Sequence, residues 1–522
     1  MGGLALMEKE YIVILNADVD FNQFNQEMIS NTGAGVIPDR TVDVANPRLG
    51  SQRSTHYSLT DEEAEQLKND PRVRDVEIPP DQRDDVVMEL FASQSGDFKK
   101  TSSSSGNHLN WGMRRCIENT NPYGSSQNDP GGDFTYTLDG TGVDVVIQDS
   151  GLQVDHPEFN DADGNTRVQE IDWYDESGLS GSQSSNHYRD RDGHGTHVAG
   201  TAAGLTYGWA KNARIYSVKV RGLEGSGDSF TGISISDCFD VIKEWHNNKT
   251  VDPNTGYKRP TIVNMSWGYS RGVSSLSSIR YRGVTYNSSN DANWSTTPNA
   301  HTASTYGLYP YATISGNRAP LRLSSVDSDV EELIAAGVHV CIAAGNNRFK
   351  ADVSGGLDYD NYYNSTSNRY HRGSSPYSDN AFMVGAVDRF LGSYATEQIS
   401  SFTTKGPGIT IFAPGSNIMS CTSTTNRFGD GDYPSDSSFR VTNISGTSMA
   451  SPQVCGAAAT ILQLKPGLTP EQLQLKMTNL ASKDKLLTTN SGTDYNDNRS
   501  LLNAPNRLLY TPFNSANVLS AS

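Results

Sequence analysis

The chain is poor in the features that define several large classes of protein. No apolar run approaches the roughly 20 residues that a membrane-spanning helix needs, so no membrane partner is expected. Its start, Met1-Gly2-Gly3-Leu4-Ala5-Leu6-Met7-Glu8, has no basic flank, long apolar stretch or small-residue cleavage site, and does not read as a secretory signal. An intracellular, virus-encoded or non-classically exported protein is therefore expected. Basic residues are in deficit: 42 Lys and Arg face 59 Asp and Glu, a net charge of −17. That argues against nucleic acid, whose binding is dominated by Lys and Arg contacts to phosphate. Cysteine is scarce and odd in number, and Cys116, Cys238, Cys341, Cys421 and Cys455 share no metal-ligand spacing. They read as free thiols, mostly small buried side chains.

What is present is length, patterning and a few short motifs. The 522 residues exceed one ordinary domain, and 35% hydrophobic content suits a soluble globular protein with many polar loops. Residues 8–92 read as a small α/β (ferredoxin-like) domain. Tyr11–Leu15, Thr55–Leu59 and Val73–Ile78 are β-rich, and Phe21–Ile29 has helical spacing. Thr60-Asp61-Glu62-Glu63 is a capping box that opens a second helix, which should stop before Pro71. Residues 93–109 have the Ser/Gly-rich composition of a linker, exposed enough to be cut.

Residues 110–515 alternate between strands and helices. Val143–Ile147, Ala213–Val220, Thr261–Met265, Val338–Ile342, Phe382–Gly385 and Ile409–Phe412 read as buried strands. Gly232–Asn247, Val326–Ala336 and Gly446–Leu464 read as helices. Such alternation implies an α/β fold of three layers with a mostly parallel central sheet.

Four elements carry chemistry. Asp149 in Val146-Ile147-Gln148-Asp149-Ser150-Gly151 ends a strand, where functional groups collect in an open α/β sheet, although Asp followed by Gly also makes an ordinary turn. His194 in Asp192-Gly193-His194-Gly195-Thr196-His197 begins a helix between two glycines. His197 reads as a packed helix residue: the i, i+3 spacing and Gly195 after the first His do not fit a zincin. Ser448 in Ser445-Gly446-Thr447-Ser448-Met449-Ala450 opens a long apolar helix, the place of a helix cap or of a nucleophile. Asn346, after Ile342-Ala343-Ala344-Gly345, puts an amide at the same sheet edge, where it could donate to an oxyanion. Each element alone has a structural reading; their joint order points to catalysis.

From Trp111 to about Ala504 these motifs resemble the subtilases, the proteinase K-like branch in particular, helped by His156-Pro157-Glu158-Phe159 and Thr206-Tyr207-Gly208-Trp209-Ala210-Lys211. The resemblance implies a subtilisin-like serine endopeptidase acting on polypeptides. Asp149 would orient the imidazolium, His194 act as general base then acid, and Ser448 attack the carbonyl. The oxyanion would sit between Asn346 and the Ser448 backbone N–H. It further implies that Gly225-Ser226-Gly227 and Ser266-Trp267-Gly268 pair with the backbone of an extended substrate. The N-terminal domain resembles the subtilisin propeptide, which implies a self-cleaved zymogen whose own propeptide first fills the cleft. The cut is expected between about Leu90 and Asn110.

The resemblance has limits. The segment between His197 and Lys219 is too short for the calcium loop of bacterial subtilisins, and Thr410 stands where a proteinase K-type calcium site needs Asp. Asp161, Asp163 and Asn165 have calcium-like oxygen spacing, but a polar turn is the default there. No cofactor is expected to be required for catalysis, structural calcium stays open, and the chain is expected to act as a monomer. Residues 269–323 and 348–379 exceed what the family core requires and read as long loops rimming the cleft or binding a partner. One alternative is a catalytically silent subtilase scaffold used as a structural or binding protein. Another is a sedolisin-type acid peptidase, against which His194 speaks. An imidazole base predicts activity at neutral to alkaline pH.

Overall fold

The computed structural model describes residues 8–30, 38–83, 85–90, 111–121, 136–185, 187–220, 223, 233–309, 312–313, 316–388, 397–487, 495–497 and 499–511. The linker and autoprocessing region at 93–109 lies outside them.

The N-terminal unit comprises β1 (Lys9–Leu15), α1 (Phe21–Ser30), β2 (Val44–Asn46), β3 (Ser54–Leu59), α2 (Asp61–Leu67) and β4 (Val73–Glu77). Its antiparallel sheet runs β2-β3-β1-β4, the ferredoxin-like order. The capping box forms as its spacing predicts, with Thr60 Oγ1 accepting from Glu63 N and Glu63 returning the bond to Thr60 N. Val13, Phe24, Met28, Tyr57, Leu59 and Leu67 close a core of its own.

β5 (Val86–Leu90), at the end of the N-terminal unit, leaves that sheet and pairs with a strand of the large domain. The large domain follows with α3 (Trp111–Cys116), β6 (Asp144–Asp149), α4 (Trp173–Ser177), α5 (His194–Ala203), β7 (Arg214–Lys219), α6 (Ile235–Asn248), β8 (Thr261–Met265) and β9 (Trp267–Gly272). Then come β10 (Ile279–Tyr281), β11 (Val284–Tyr286), α7 (Ala300–Tyr306), β12 (Ala312–Thr313), β13 (Gly316–Pro320), α8 (Ser324–Ala335), β14 (His339–Ala343), β15 (Tyr362–Tyr363), β16 (Phe382–Val387), β17 (Ile411–Pro414), β18 (Ile418–Thr422), β19 (Gly431–Tyr433) and β20 (Asp436–Ile444). The last are α9 (Thr447–Leu464), α10 (Pro470–Leu480), β21 (Ser482–Lys483) and β22 (Arg507–Leu508).

The central sheet has the order β21-β22-β17-β16-β14-β8-β6-β7, parallel apart from the β21–β22 pair. Alternation along each strand feeds two cores. Val145 and Ile147 of β6 face α5 and α9, while Val146 joins the cluster with α6 and α8. Cys341 and Val340 divide between the same two sides on β14. Both faces being covered explains why these strands read as unbroken apolar runs. All five cysteines are free and buried.

The two long insertions are not loops. They carry β10–β13, α7 and β15, pair with each other through β10 and β15, and share a core of Val273, Leu276, Ile279, Tyr306, Phe349 and Tyr370. Their aromatic and polar mixture hid this, because the residues that meet are some 80 positions apart, as in the Ile279–Tyr363 pair.

A buried arginine also organises the large domain. Arg167 donates to the carbonyls of Asn160 (3.0 Å), Glu158 (2.9 Å), Ala203 (2.7 Å) and Ala213 (3.0 Å). It thereby ties the segment before β7 to the end of α5. Arg167→Met takes the guanidinium donors from the Asn160, Ala203 and Ala213 carbonyls, while Glu158 O keeps the Leu205 N–H, and should cost about 3 kcal/mol or more. Denaturant unfolding of the variant beside the wild type measures it.

Candidate active site

β6 and β8 are neighbours, yet the chain leaves β6 outward to β7 and leaves β8 the other way to β14. The crevice at such a reversal, beyond the carboxyl ends of the strands, is where α/β sheets bind ligands. Asp149 is the last residue of β6, Ser266 follows β8, and Asn346 lies three residues beyond β14.

His194 enters from α5. Its Nδ1 lies 2.7 Å from Asp149 Oδ1, and both side chains are fully buried. The Ser150 backbone N–H donates to the same oxygen at 2.7 Å. With Nδ1–H donating to the carboxylate, Nε2 is the ring atom left for proton transfer, and it has no hydrogen bond among the described residues. The flanking glycines are required by space. A Cβ on Gly195 would stand 2.1 Å from the Gly151 carbonyl oxygen, and Gly193 has φ +87°. His197, one turn on, places Nε2 at 2.9 Å from Ile418 O and 3.2 Å from Thr442 O. Burial pushes it down to about 3, so it packs as a neutral ring.

Gly193 has no side chain to cap α5, and a residue the sequence reading passed over does that work. The buried Asp190 carboxylate accepts from Asp192 N (3.1 Å), Gly193 N (2.9 Å) and Ser150 Oγ (3.0 Å) through Oδ1. Through Oδ2 it accepts from Thr196 N (2.9 Å) and Thr196 Oγ1 (2.6 Å). Ser150 Oγ in turn accepts the Gly195 N–H at 2.9 Å. Asp190 therefore binds the residue after Asp149 and the helix turn carrying His194 to one carboxylate, although burial pushes its carboxyl up. An acid four positions before a helix-opening histidine was the available signal.

Ser448 is the second residue of α9 and is fully buried. Pro452, four positions on, has no N–H to offer the Ser448 carbonyl. Ser266 Oγ supplies that bond instead at 3.0 Å, Asn264 Nδ2 donates to Ser266 Oγ at 2.8 Å, and Ser451 Oγ donates to Asn264 Oδ1 at 2.8 Å. The Ser448 hydroxyl donates to Ser266 O at 2.9 Å. Asn346 Oδ1 accepts from Thr447 N and Thr447 Oγ1, both at 2.9 Å, which orients the amide and leaves Nδ2 as its donor. Asp149, His194, Asn346, Ser448 and Ser266-Trp267-Gly268 thus gather at one edge. Gly225, Ser226 and Gly227 lie outside the described residues.

β9 carries Trp267 and Gly268, and β5 of the N-terminal unit lies antiparallel on it, with Val86 opposite Arg271, Glu89 opposite Gly268 and Leu90 opposite Trp267. Asp161, Asp163 and Asn165 form an exposed turn away from this edge. Asp161 Oδ1 accepts the Asp163 and Asn165 amides at 2.9 and 2.8 Å, so that oxygen serves the turn itself. Thr410 Oγ1 likewise accepts from Met383 N at 3.1 Å. Among the described residues no three His, Cys, Asp or Glu are grouped to hold a metal, and no helix is long and apolar enough to cross a membrane.

A carboxylate bonded to an imidazole, with a serine at the head of a helix on the same carboxyl edge of a covered parallel sheet, is the arrangement that serine hydrolases of several folds use. The subtilase family model matches residues 140–501, and the chain belongs to that family as a subtilisin-like serine endopeptidase. It is 28% identical over 461 residues to the extracellular serine proteinase of Thermus sp. (strain Rt41A), covering 88% of this chain and 76% of that one. It is 29% identical over 440 residues to the cuticle-degrading protease of Metarhizium anisopliae, covering 84% and 77%. Among solved structures, fervidolysin from Fervidobacterium pennivorans, a keratinolytic enzyme related to subtilisin, shares the fold at a TM-score of 0.50. It is 16% identical, with 97% of this chain and 61% of that one covered.

Asp190→Asn puts an N–H₂ group where two or more donors already converge. It should lower kcat about ten- to hundredfold with KM little changed, as loss of 1.5–3 kcal/mol of charged hydrogen bonding implies. Peptide hydrolysis by the purified enzyme checks it.

Proposed function

We propose that Asp149, His194 and Ser448 are the catalytic triad of this endopeptidase and that the chain is made as a self-processing zymogen. The 2.7 Å bond between His194 Nδ1 and Asp149 Oδ1, at the edge where α9 presents Ser448, carries the reading. The Ser448 hydroxyl turns from the Ser266 carbonyl to His194 Nε2, gives up its proton there and attacks the substrate carbonyl. The oxyanion takes hydrogen bonds from Asn346 Nδ2 and the Ser448 backbone N–H. His194 then passes the proton to the leaving amine, and water repeats the sequence on the acyl-enzyme. These steps need no cofactor. The substrate is an extended polypeptide added to β9 by backbone pairing.

The zymogen reading is supported by β5, which occupies β9 in the manner expected of a substrate strand. It is supported too by the reach of the similarity: 88% of the chain aligns with the Thermus proteinase, which extends beyond the large domain into the N-terminal unit. Leu90 pairs with Trp267, and the residue just before β9, Ser266, accepts the Ser448 hydroxyl through its carbonyl. The first cut is accordingly expected just beyond Leu90, at the near end of the 90–110 window.

A fluorophosphonate probe at neutral pH should label the purified enzyme and leave Ser448→Ala unlabelled and uncut. Equal labelling of both would remove Ser448 from its role, and an unlabelled wild type would favour a silent scaffold. N-terminal sequencing of the labelled species locates the cut, and a start well beyond residue 100 contradicts the β5 register. Asn346→Ala should lower kcat about 10²–10³-fold, the loss known for an oxyanion asparagine in subtilisin.

A further inference from the structure

The N-terminal unit is held at a second place, far along the chain from β5. Its turn at 46–54 inserts between α6 and α8 of the large domain. Arg48 Nε and Nη2 bind Asp240 Oδ2 and Oδ1 at 2.7 and 3.1 Å, and Nη2 also binds Asp329 Oδ1 at 3.0 Å. The guanidinium is 0% exposed, and the two carboxylates 3% and 1%. Beside them Ser51 Oγ donates to Glu332 Oε1 at 2.8 Å, and Lys243 pairs with Glu332 Oε2.

The turn is shaped beforehand by its own bonds. Asn46 Oδ1 accepts Arg48 N at 3.0 Å, Ser51 Oγ accepts Ser54 N at 3.0 Å, and Arg48 Nη1 reaches Ser54 Oγ at 3.1 Å. Arg48 sits at φ +46°, a conformation non-glycine residues adopt rarely. Asp329 Oδ2 is buried with no partner among the described residues, and burial pushes this carboxyl up to about 7 despite the nearby guanidinium. Packing thus overrides both a backbone preference and a desolvation cost to seat one side chain.

We propose that the groove between α6 and α8 is a guanidinium-binding exosite of the catalytic domain, and that Arg48 seated in it sets how tightly the N-terminal unit inhibits. This rests on the zymogen reading above. β5 holds the cleft through backbone pairing, which any extended substrate can replace. No substrate in the cleft competes for Asp240 and Asp329. A planar fork between two desolvated carboxylates also has the geometry of an interface hot spot. Withdrawal of Arg48 leaves three carboxylates with only Lys243 seen to pair with them among the described residues, so the freed surface favours recapture of the same turn.

The test uses the full-length chain. After self-cleavage, co-elution of the N-terminal fragment with the large one is followed by size exclusion, and release of activity by hydrolysis of a fluorogenic peptide. Arg48→Ala should reduce co-elution at least tenfold and bring activity forward, with Arg48→Lys intermediate. Glu331→Gln, at a partly exposed pair with Arg53 and Arg74, should behave as wild type. If Arg48→Ala fails to fold, Asp240→Asn with Asp329→Asn tests the same contact from the other side. Wild-type retention and inhibition in both variants would overturn the exosite. Full activity of the wild-type enzyme with its fragment still bound would instead sink the inhibitor reading, while loss of co-elution in the variants would still locate the contact.

Discussion

A parallel sheet covered on both faces ends in a row of backbone groups that have to be satisfied without water, and the active edge of this protein is built from the solutions. Ser448 shows it most directly. Pro452 removes the helical donor to its carbonyl, so Ser266 supplies one, and Ser266 is held by Asn264 at the centre of the sheet. The position of Ser448 is thereby tied to β8 rather than left to the fraying first turn of a helix. Asn346 is fixed in the same way, through the Thr447 amide and hydroxyl. These bonds complete a buried helix start.

Asp190 applies the same logic to the other half of the site. A helix beginning Gly-His-Gly exposes several N–H groups and offers no side chain to accept them. One carboxylate takes those of Asp192, Gly193 and Thr196, and the Ser150 hydroxyl as well. Because Ser150 adjoins Asp149, strand and helix cannot shift independently, and the short His194–Asp149 bond follows from that constraint.

How much of this was legible in the sequence depended on the range of the interaction. The Thr60–Glu63 capping box, the buried strands and the long helix after Ser448 follow from neighbours a few residues apart, and they formed within a residue or two of where patterning put them. The placement of Asp149, His194, Asn346 and Ser448 was legible because strand ends and helix starts mark the sheet edge. Asp190 was legible in principle, as an acid before a helix, but its hydroxyl and amide partners were not. Arg167, Arg48 and the core shared by the two insertions were invisible. Each depends on partners brought together by the fold, such as the 192 positions between Arg48 and Asp240, and no local period records such a pairing.

The insertions matter to the site through the strand they complete. β9 lies between β5 and β13 in the order β12-β13-β9-β5, with Ser270–Gly272 paired to Arg318–Pro320 on one side and Trp267–Arg271 paired to Val86–Leu90 on the other. A strand with two open edges would accept an extended peptide on either, in two directions and in several registers. β13 occupies the edge away from β5 along Ser270–Gly272, so departure of the N-terminal unit, as the proposed zymogen reading requires, would open the other edge of that stretch alone. On the proposed mode of substrate addition, the insertion would contribute to selectivity by occupying one side of β9 and leaving the side taken by β5 as the place where a polypeptide adds.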